Sequence, residues 1–312
     1  MKAVNAIASC LLACAWTSAG FGLTDNELKR APFGPALFAG TLADEELSEV
    51  SGIAPSQRRD DAFFAVNDGG NAAKLYAFRQ DGAALGSLEI DGAVNNDWED
   101  LASFQLDGKP YLLIGDTGDN AGQRQRITLY VVAEPRFAGS GALKGGPLKP
   151  AWTINLRFPD APHDCEAISV DAPNKQIFLL SKREIPAKLY SIPLKPGAAL
   201  QVAKFVALIK LPQPTAQDLK VLPEINRFRS QPTSLALSSD GLQALVLTYR
   251  NAYVFTRVPP QTWARAFTQA PQVIYLPPLP QAEAATFNRQ GSSLFITSEI
   301  RPTPLIRLDR LK

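Results

Sequence analysis

Histidine is nearly absent: His163 is the only one in 312 residues, and that scarcity removes whole classes of chemistry. Catalytic schemes that need two histidines, and histidine-rich zinc sites, are excluded. Cysteine is almost as scarce. Of Cys10, Cys14 and Cys165, the first two fall in an apolar leader, so Cys165 is left without an internal partner. No disulfide is expected, and Cys165 reads as a small buried hydrophobe rather than a nucleophile. An excess of one charge is missing too: 32 Lys and Arg against 30 Asp and Glu leave a formal net charge of +2. A broad cationic field for nucleic acid is therefore lacking. There is also no glycine-rich phosphate loop of the P-loop type. What the chain does have is 25 prolines and 21 glycines scattered as turn punctuation, together with 46% hydrophobic residues. Many short strands around a sizeable core follow from that.

The N-terminus carries Lys2, a small and apolar run from Ala3 to Gly22, and then the polar residues Thr24, Asp25, Asn26 and Glu27. This pattern predicts a secretory signal over residues 1–22, with small-residue cleavage sites after Ala19 or Gly22. Leu11, Leu12, Ala13 and Cys14 also form a short lipobox, which keeps a lipoprotein open as an alternative. Thr17, Ser18 and Gly20 break the apolar run, leaving too little for the roughly 20 residues of a membrane span. The expectation is a periplasmic or extracellular protein with no transmembrane helix, residues 23–312 forming one domain.

Within that domain one unit recurs five times: a short strand, an apolar strand with a polar end, a strand with a Leu-Tyr-like pair, and a last strand. The copies open at Ser51-Gly52-Ile53-Ala54, Glu99-Asp100-Leu101-Ala102, Glu166-Ala167-Ile168-Ser169, Thr233-Ser234-Leu235-Ala236 and Glu283-Ala284-Ala285-Thr286. The fifth lacks a final strand, and Ala36 to Leu42 can supply it. The reading is an all-β, five-bladed β-propeller closed by pairing its first and last segments, with six blades as the alternative. Pro135 to Lys149 and Pro212 to Ser230 read as insertions, the second partly helical. Tyr76, Tyr130, Tyr190 and Tyr253 read as core.

In a propeller the first strand of each blade lines the central channel, so Ser51, Glu99, Glu166, Thr233 and Glu283 converge on one region. Three carboxylates that close repel one another unless a hard cation neutralises them, and calcium tolerates oxygen ligands from separate strands. The alternative is a polar channel mouth that simply faces water. Second strands run antiparallel to first strands, so their polar ends surround the ring: Asn67, Asp68, Asp116, Asp119, Asn120, Lys182, Arg183, Arg250, Glu299 and Arg301. Glu49, Asp97, Asp100 and Asp164 join them from the approach to the first strand. Carboxylates mixed with arginines and a lysine suit a phosphate-bearing ligand held on a cation. The Gly115 to Asn120 segment, with its glycine-spaced acids, lacks the later ligands of an EF-hand and is not one.

The order hydroxyl, Glu, Glu, hydroxyl, Glu resembles the calcium-dependent soluble apyrases, secreted five-bladed propellers that hydrolyse nucleoside di- and triphosphates. Glu49-Val50-Ser51 followed by Val66-Asn67-Asp68 is similar to that family's first blade, and Glu99 followed by Leu112 to Gly118 to its second. The resemblance implies calcium ligands at Ser51, Glu99, Glu166, Thr233 and Glu283. Asn67 departs from it, standing where the family has the first acid of a paired aspartate, and the family's base contacts have no counterpart. Asp97-Trp98-Glu99-Asp100, Gly115 to Asn120 and Gln281-Ala282-Glu283 also resemble uncharacterised secreted bacterial propellers of phytase-like and esterase-like kinds.

The resulting expectation is a monomeric, calcium-dependent hydrolase of small phosphoanhydride or phosphoester substrates, without a nucleic-acid partner. Asp68, Asp100 or Asp116 would act as base or orient water, and Lys182, Arg183, Arg250 and Arg301 would meet phosphoryl charge. A lactonase or esterase on the same calcium, and a non-catalytic binding platform, remain the alternatives.

Overall fold

The computed structural model describes residues 23–311 apart from Leu222. The expected signal peptide and lipobox lie outside the described residues.

Alternating apolar side chains with turn residues between the runs make four-stranded antiparallel meanders. Blade 1 comprises Val50–Pro55, Ala62–Asn67, Lys74–Arg79 and Ala84–Glu89. Blade 2 comprises Trp98–Leu106, Lys109–Asp116, Ile127–Ala133 and Pro150–Arg157, and blade 3 Cys165–Asp171, Gln176–Ser181, Ala187–Pro193 and Lys204–Ile209. Blade 4 comprises Pro232–Leu237, Gln243–Thr248, Asn251–Thr256 and Gln272–Tyr275. Blade 5 takes Ala282–Phe287, Ser293–Ser298 and Pro304–Asp309 from the C-terminus and Leu37–Thr41 from the N-terminus. The first strands contact one another in sequence and the fifth returns to the first, so the ring holds five blades and no sixth.

Five apolar clusters fill the five seams between neighbouring blades. At the closing seam Phe63 of blade 1 meets Phe295 of blade 5 with ring centroids 4.5 Å apart. Burial of such a side chain is worth about 3–5 kcal/mol against alanine, so each seam resists opening. The N-terminal strand locks the ring further. Leu37 pairs with Arg307 and Thr41 with Pro304. Gly40 has to be glycine, because a Cβ there would lie 1.9 Å from the Asp81 carbonyl oxygen of blade 1. Upstream, Asp25 accepts hydrogen bonds from the Tyr253 hydroxyl (2.8 Å) and Asn251 Nδ2 (3.0 Å), fastening the same segment to blade 4.

The four tyrosines read as core are buried. Cys165 is buried as well, with burial pushing its thiol up. The Pro135 to Lys149 insertion forms a small hairpin, Arg136–Phe137 with Leu143–Lys144. The Pro212 to Ser230 insertion carries two short helices, Ala216–Lys220 and Pro223–Asn226; Thr215 caps the first by accepting the Asp218 N–H at 3.1 Å. One strand was not anticipated: Gly197–Val202 adds in parallel to Pro150–Arg157 and makes blade 2 five-stranded. Its Gly-Ala-Ala start gives no alternation to read. Among the described residues no helix is long and apolar enough to cross a membrane.

Candidate metal centre at the channel mouth

The first-strand register slips once in every blade, and always at the same place. Pairing jumps from Val50 to Gly52, Trp98 to Asp100, Cys165 to Ala167, Pro232 to Ser234 and Ala282 to Ala284. The residue passed over is Ser51, Glu99, Glu166, Thr233 or Glu283, the ring predicted from the repeat. A bulge leaves its extra residue out of the ladder and re-aims its side chain, so five bulges place one oxygen-bearing side chain per blade at the mouth.

A second ring surrounds the first. Asp68, Thr117, Lys182, Tyr249 and Glu299 each follow the last residue of a second strand. Four of them donate their backbone N–H two residues before a bulge: Asp68 to Glu49 O (2.8 Å), Thr117 to Asp97 O (3.1 Å), Lys182 to Asp164 O (2.9 Å) and Glu299 to Gln281 O (3.0 Å). Asp97 and Asp164 are thereby drawn against the ring. Ligand-capable oxygens of Asp68, Asp97 and Glu99 lie within 4.8 Å of one another, as do those of Glu99, Asp164 and Glu166.

The mouth is short of counter-charge. Burial holds Glu99 well above the usual carboxylate range, with Glu166, Asp68 and Asp97 adding repulsion and Lys182 pulling the other way. Glu166 is likewise pushed up by burial against the pull of Lys182. Burial lifts Glu283 to about 7, opposed by Lys182 and a hydrogen bond from Tyr249. Asp97 is lifted to about 6 by burial and then by Asp68. Asp68 and Glu299 are raised too, burial again being the main cause. Lys182, only 8% exposed, forms an ion pair with Glu166 and lies 5.2 Å from the Tyr249 ring centroid. Although burial disfavours its charge, Glu166 and Glu283 hold its ammonium well above the usual lysine range.

One hydroxyl of the first ring, among the described residues, lacks a partner. Ser51 Oγ is buried with no hydrogen bond, and its residue is 4% exposed. Glu99 is 7% exposed, and no described residue donates a hydrogen bond to its carboxylate. The loop at Gly118 makes room beside it: a Cβ there would lie 2.1 Å from Glu99 Oε1 and 2.5 Å from Asp97 Oδ2. Thr233 differs. Its hydroxyl donates to Ala282 O at 2.8 Å, which fixes its proton and leaves its lone pairs. Unpartnered buried oxygens, crowded carboxylates and a cradle that only glycine leaves open fit a hard cation.

Several residues expected at the site are instead braces. Asp100, at 1% exposure, lies one step below the ring and accepts hydrogen bonds from Leu101 N (2.9 Å), Ile168 N (2.9 Å) and Leu235 N (3.2 Å), tying blade 2 to blades 3 and 4. At the same level stand the small residues Gly52, Ala167, Ser234 and Ala284, so Asp100 plugs the channel and is not placed to serve as a base. Asp116 is buried behind Asp97, accepting from Asn96 Nδ2 (2.7 Å) and Asp97 N (3.2 Å) and pairing with Arg124 at 2.8 Å. It positions Asp97 and does not face a ligand. Asn67 bridges to Glu46 O at 2.6 Å, and Asp119 accepts from Gln123 N and Arg124 N at 2.8 Å each, so both order loops.

Arg250 is drawn off the site by Asp25 (3.5 Å) and by Asp218 of the helical insertion (3.2 Å), and so does not face the mouth. Arg301 lies exposed at the rim, donating to Glu45 O at 2.7 Å, and Glu299 accepts from Gln281. Arg183 pairs with Asp164 at 2.6 Å and bonds to Asn120. Of the three candidate acids or bases, Asp68 alone remains at the mouth with a carboxylate held only by Gly69 N. Asp97 stands at the mouth where Asp100 and Asp116 do not, among the oxygens able to hold a metal. The signal for it was its position two residues before a ring member.

No family model and no curated protein sequence matches the chain. Among solved structures, it is similar to a chain described as "Crystal structure of Nidogen/Laminin Complex", with 12% identity, a TM-score of 0.43, and coverage of 80% of this chain and 73% of that one.

Proposed function

We propose that this protein is an exported propeller that binds calcium at its channel mouth and uses it to hydrolyse a small phosphoanhydride or phosphoester substrate. The observation that carries the reading is the bulge repeated in all five blades at the oxygen-bearing residue. The ring of Ser51, Glu99, Glu166, Thr233 and Glu283, with Asp68 and Asp97 beside it, forms the mouth at which the ion would bind. Bound there, calcium supplies Lewis acidity toward a phosphoryl oxygen. Asp68, whose carboxylate the protein itself holds only through Gly69 N, would orient the attacking water beside the ion. Arg183, with 41% of its side chain exposed, offers a guanidinium to an incoming anion at the rim. The leader over residues 1–22 supports export, and a lone buried thiol is compatible with an oxidising compartment.

A second reading rests on Lys182. Its ion pair with Glu166 neutralises part of the ring from within, as expected of a platform that binds ligand without catalysis. The deciding experiment combines metal analysis of the purified protein with assays of nucleotides, phosphate monoesters and lactones, each with calcium and with chelator. Phosphate release that chelator abolishes is the expected result. Bound calcium with no turnover leaves the platform, turnover of lactones alone leaves the lactonase, and absence of bound calcium overturns the metal reading.

A further inference from the structure

The mouth is lopsided, and the asymmetry follows the blades. Glu166 is paired with Lys182, whose ammonium lies over the Tyr249 ring of blade 4. Asp164 is engaged as well, accepting from Asp119 N at 2.9 Å and from Arg183 at 2.6 Å. The acids on the blade 3 side therefore already have cations or donors. On the blade 1 and blade 2 side, among the described residues, no ion pair reaches Asp68, Asp97 or Glu99: neither Asp97 nor Glu99 receives a hydrogen bond on its carboxylate, and Asp68 accepts only from Gly69 N. Glu99 is more than nine-tenths buried and reaches into this second group, within 4.8 Å of Asp68 and Asp97. The two nearby glycines keep it open. A Cβ on Gly118 would collide with Glu99 and Asp97, and one on Gly69 would lie 2.6 Å from Asp97 Oδ1.

We propose that Lys182 is the resident cation of Glu166, and that the metal sits off the axis on Asp68, Asp97 and Glu99. This deepens the cation reading above and depends on it. Burying charge is tolerated only when it is paired, and an ammonium fixed on one half of the ring leaves the other half as the place where a divalent ion gains most. Lys182 thus decides where the metal binds and how many ions the mouth takes. Its removal frees a second set of carboxylates.

The test is titration of the full mature chain with calcium chloride by calorimetry, with far-UV circular dichroism to confirm folding. Wild type should bind one ion. Asp97→Asn and Gly118→Ala should each weaken binding at least tenfold, while Glu283→Gln should change it less than twofold. Lys182→Met should raise the stoichiometry from one ion to two. A Glu283→Gln variant that loses binding while Asp97→Asn keeps it would put the metal on the five-fold axis and overturn the proposal. So would a folded Lys182→Met variant that still takes a single ion. If wild type binds no calcium, the parent reading falls with it, an outcome distinct from binding at the wrong residues.

Discussion

The two ends of the central channel differ less in shape than in how their polar groups are partnered. The lower end, where the first strands finish, holds a cavity of about 460 Å3 lined by residues of all five blades. Its polar groups are largely satisfied: Ser103 Oγ accepts from Gln57 Nε2 at 3.0 Å, Ser169 Oγ from Leu237 N at 3.1 Å, and Arg289 pairs with Asp60. The upper end is crowded instead, with Ser51 orphaned, Glu99 unpaired and the surrounding carboxyls raised. Room for a ligand and readiness for one are separate properties here. A carboxyl kept buried without a partner marks a site more strongly than volume does, because the fold tolerates its cost for no structural return.

Asp100 separates the two ends, and removing it is the strongest way to break the contrast. Asp100→Ala strips the acceptor from three backbone N–H groups in blades 2, 3 and 4, each buried. The expected loss is about 3–5 kcal/mol of stability, measured by urea unfolding. Ser103→Ala at the lower end should cost under about 0.5 kcal/mol. If Asp100→Ala keeps its stability yet loses hydrolysis, Asp100 belongs to the chemistry and the plug does not exist.

Asp100 also shows where sequence reading stops. The blades were legible because alternating apolar runs between turns report burial directly, and the ring because the same opening recurred at five places. Facing was not legible. A bulge inserts one residue without any signature in composition, so neighbours such as Glu99 and Asp100 differ in role only once the register is known. Arg250 was assigned to the mouth from its strand end. Two distant acids, Asp25 and Asp218, take it elsewhere, and nothing local to Arg250 encodes them. Asp116 and Asp97 are interchangeable on paper, and only packing assigns the one as brace and the other as candidate ligand.

The carboxyls of the upper end predict a pH dependence that the lower end should not share. Glu283 is lifted from 4.5 to about 7 and Asp97 from 3.8 to about 6. Between the unfolded and folded values the native state binds more protons than the unfolded chain, so metal-free stability is greatest below about 4.5 and falls as pH rises through about 7. For Glu283, half-buried at the mouth, the loss is at most on the order of 3 kcal/mol. Calcium should flatten the slope by taking the place of the protons. Chemical denaturation at stepped pH, with calcium and with chelator, measures both curves. Two curves of equal slope would mean that the ion is held elsewhere.

The finest contrast lies within the ring itself, between its two hydroxyls. Thr233 donates to Ala282 O, so Thr233→Val removes a hydrogen bond and strands a buried carbonyl, at a cost of about 1 kcal/mol. Ser51 makes no such bond, and Ser51→Ala removes a buried group that is already unsatisfied, so metal-free stability should hold or rise by up to about 1 kcal/mol. Calcium affinity should respond in the opposite sense. Ser51 stands in blade 1, on the side of Asp68, and its loss should weaken binding several-fold; Thr233 stands in blade 4, the blade that carries Tyr249, and its loss should leave affinity alone. Unfolding and calcium titration on the two variants read out both quantities. A Thr233→Val variant that lost affinity while Ser51→Ala kept it would move the ion toward Glu283, and the orphaned hydroxyl would then mark no ligand.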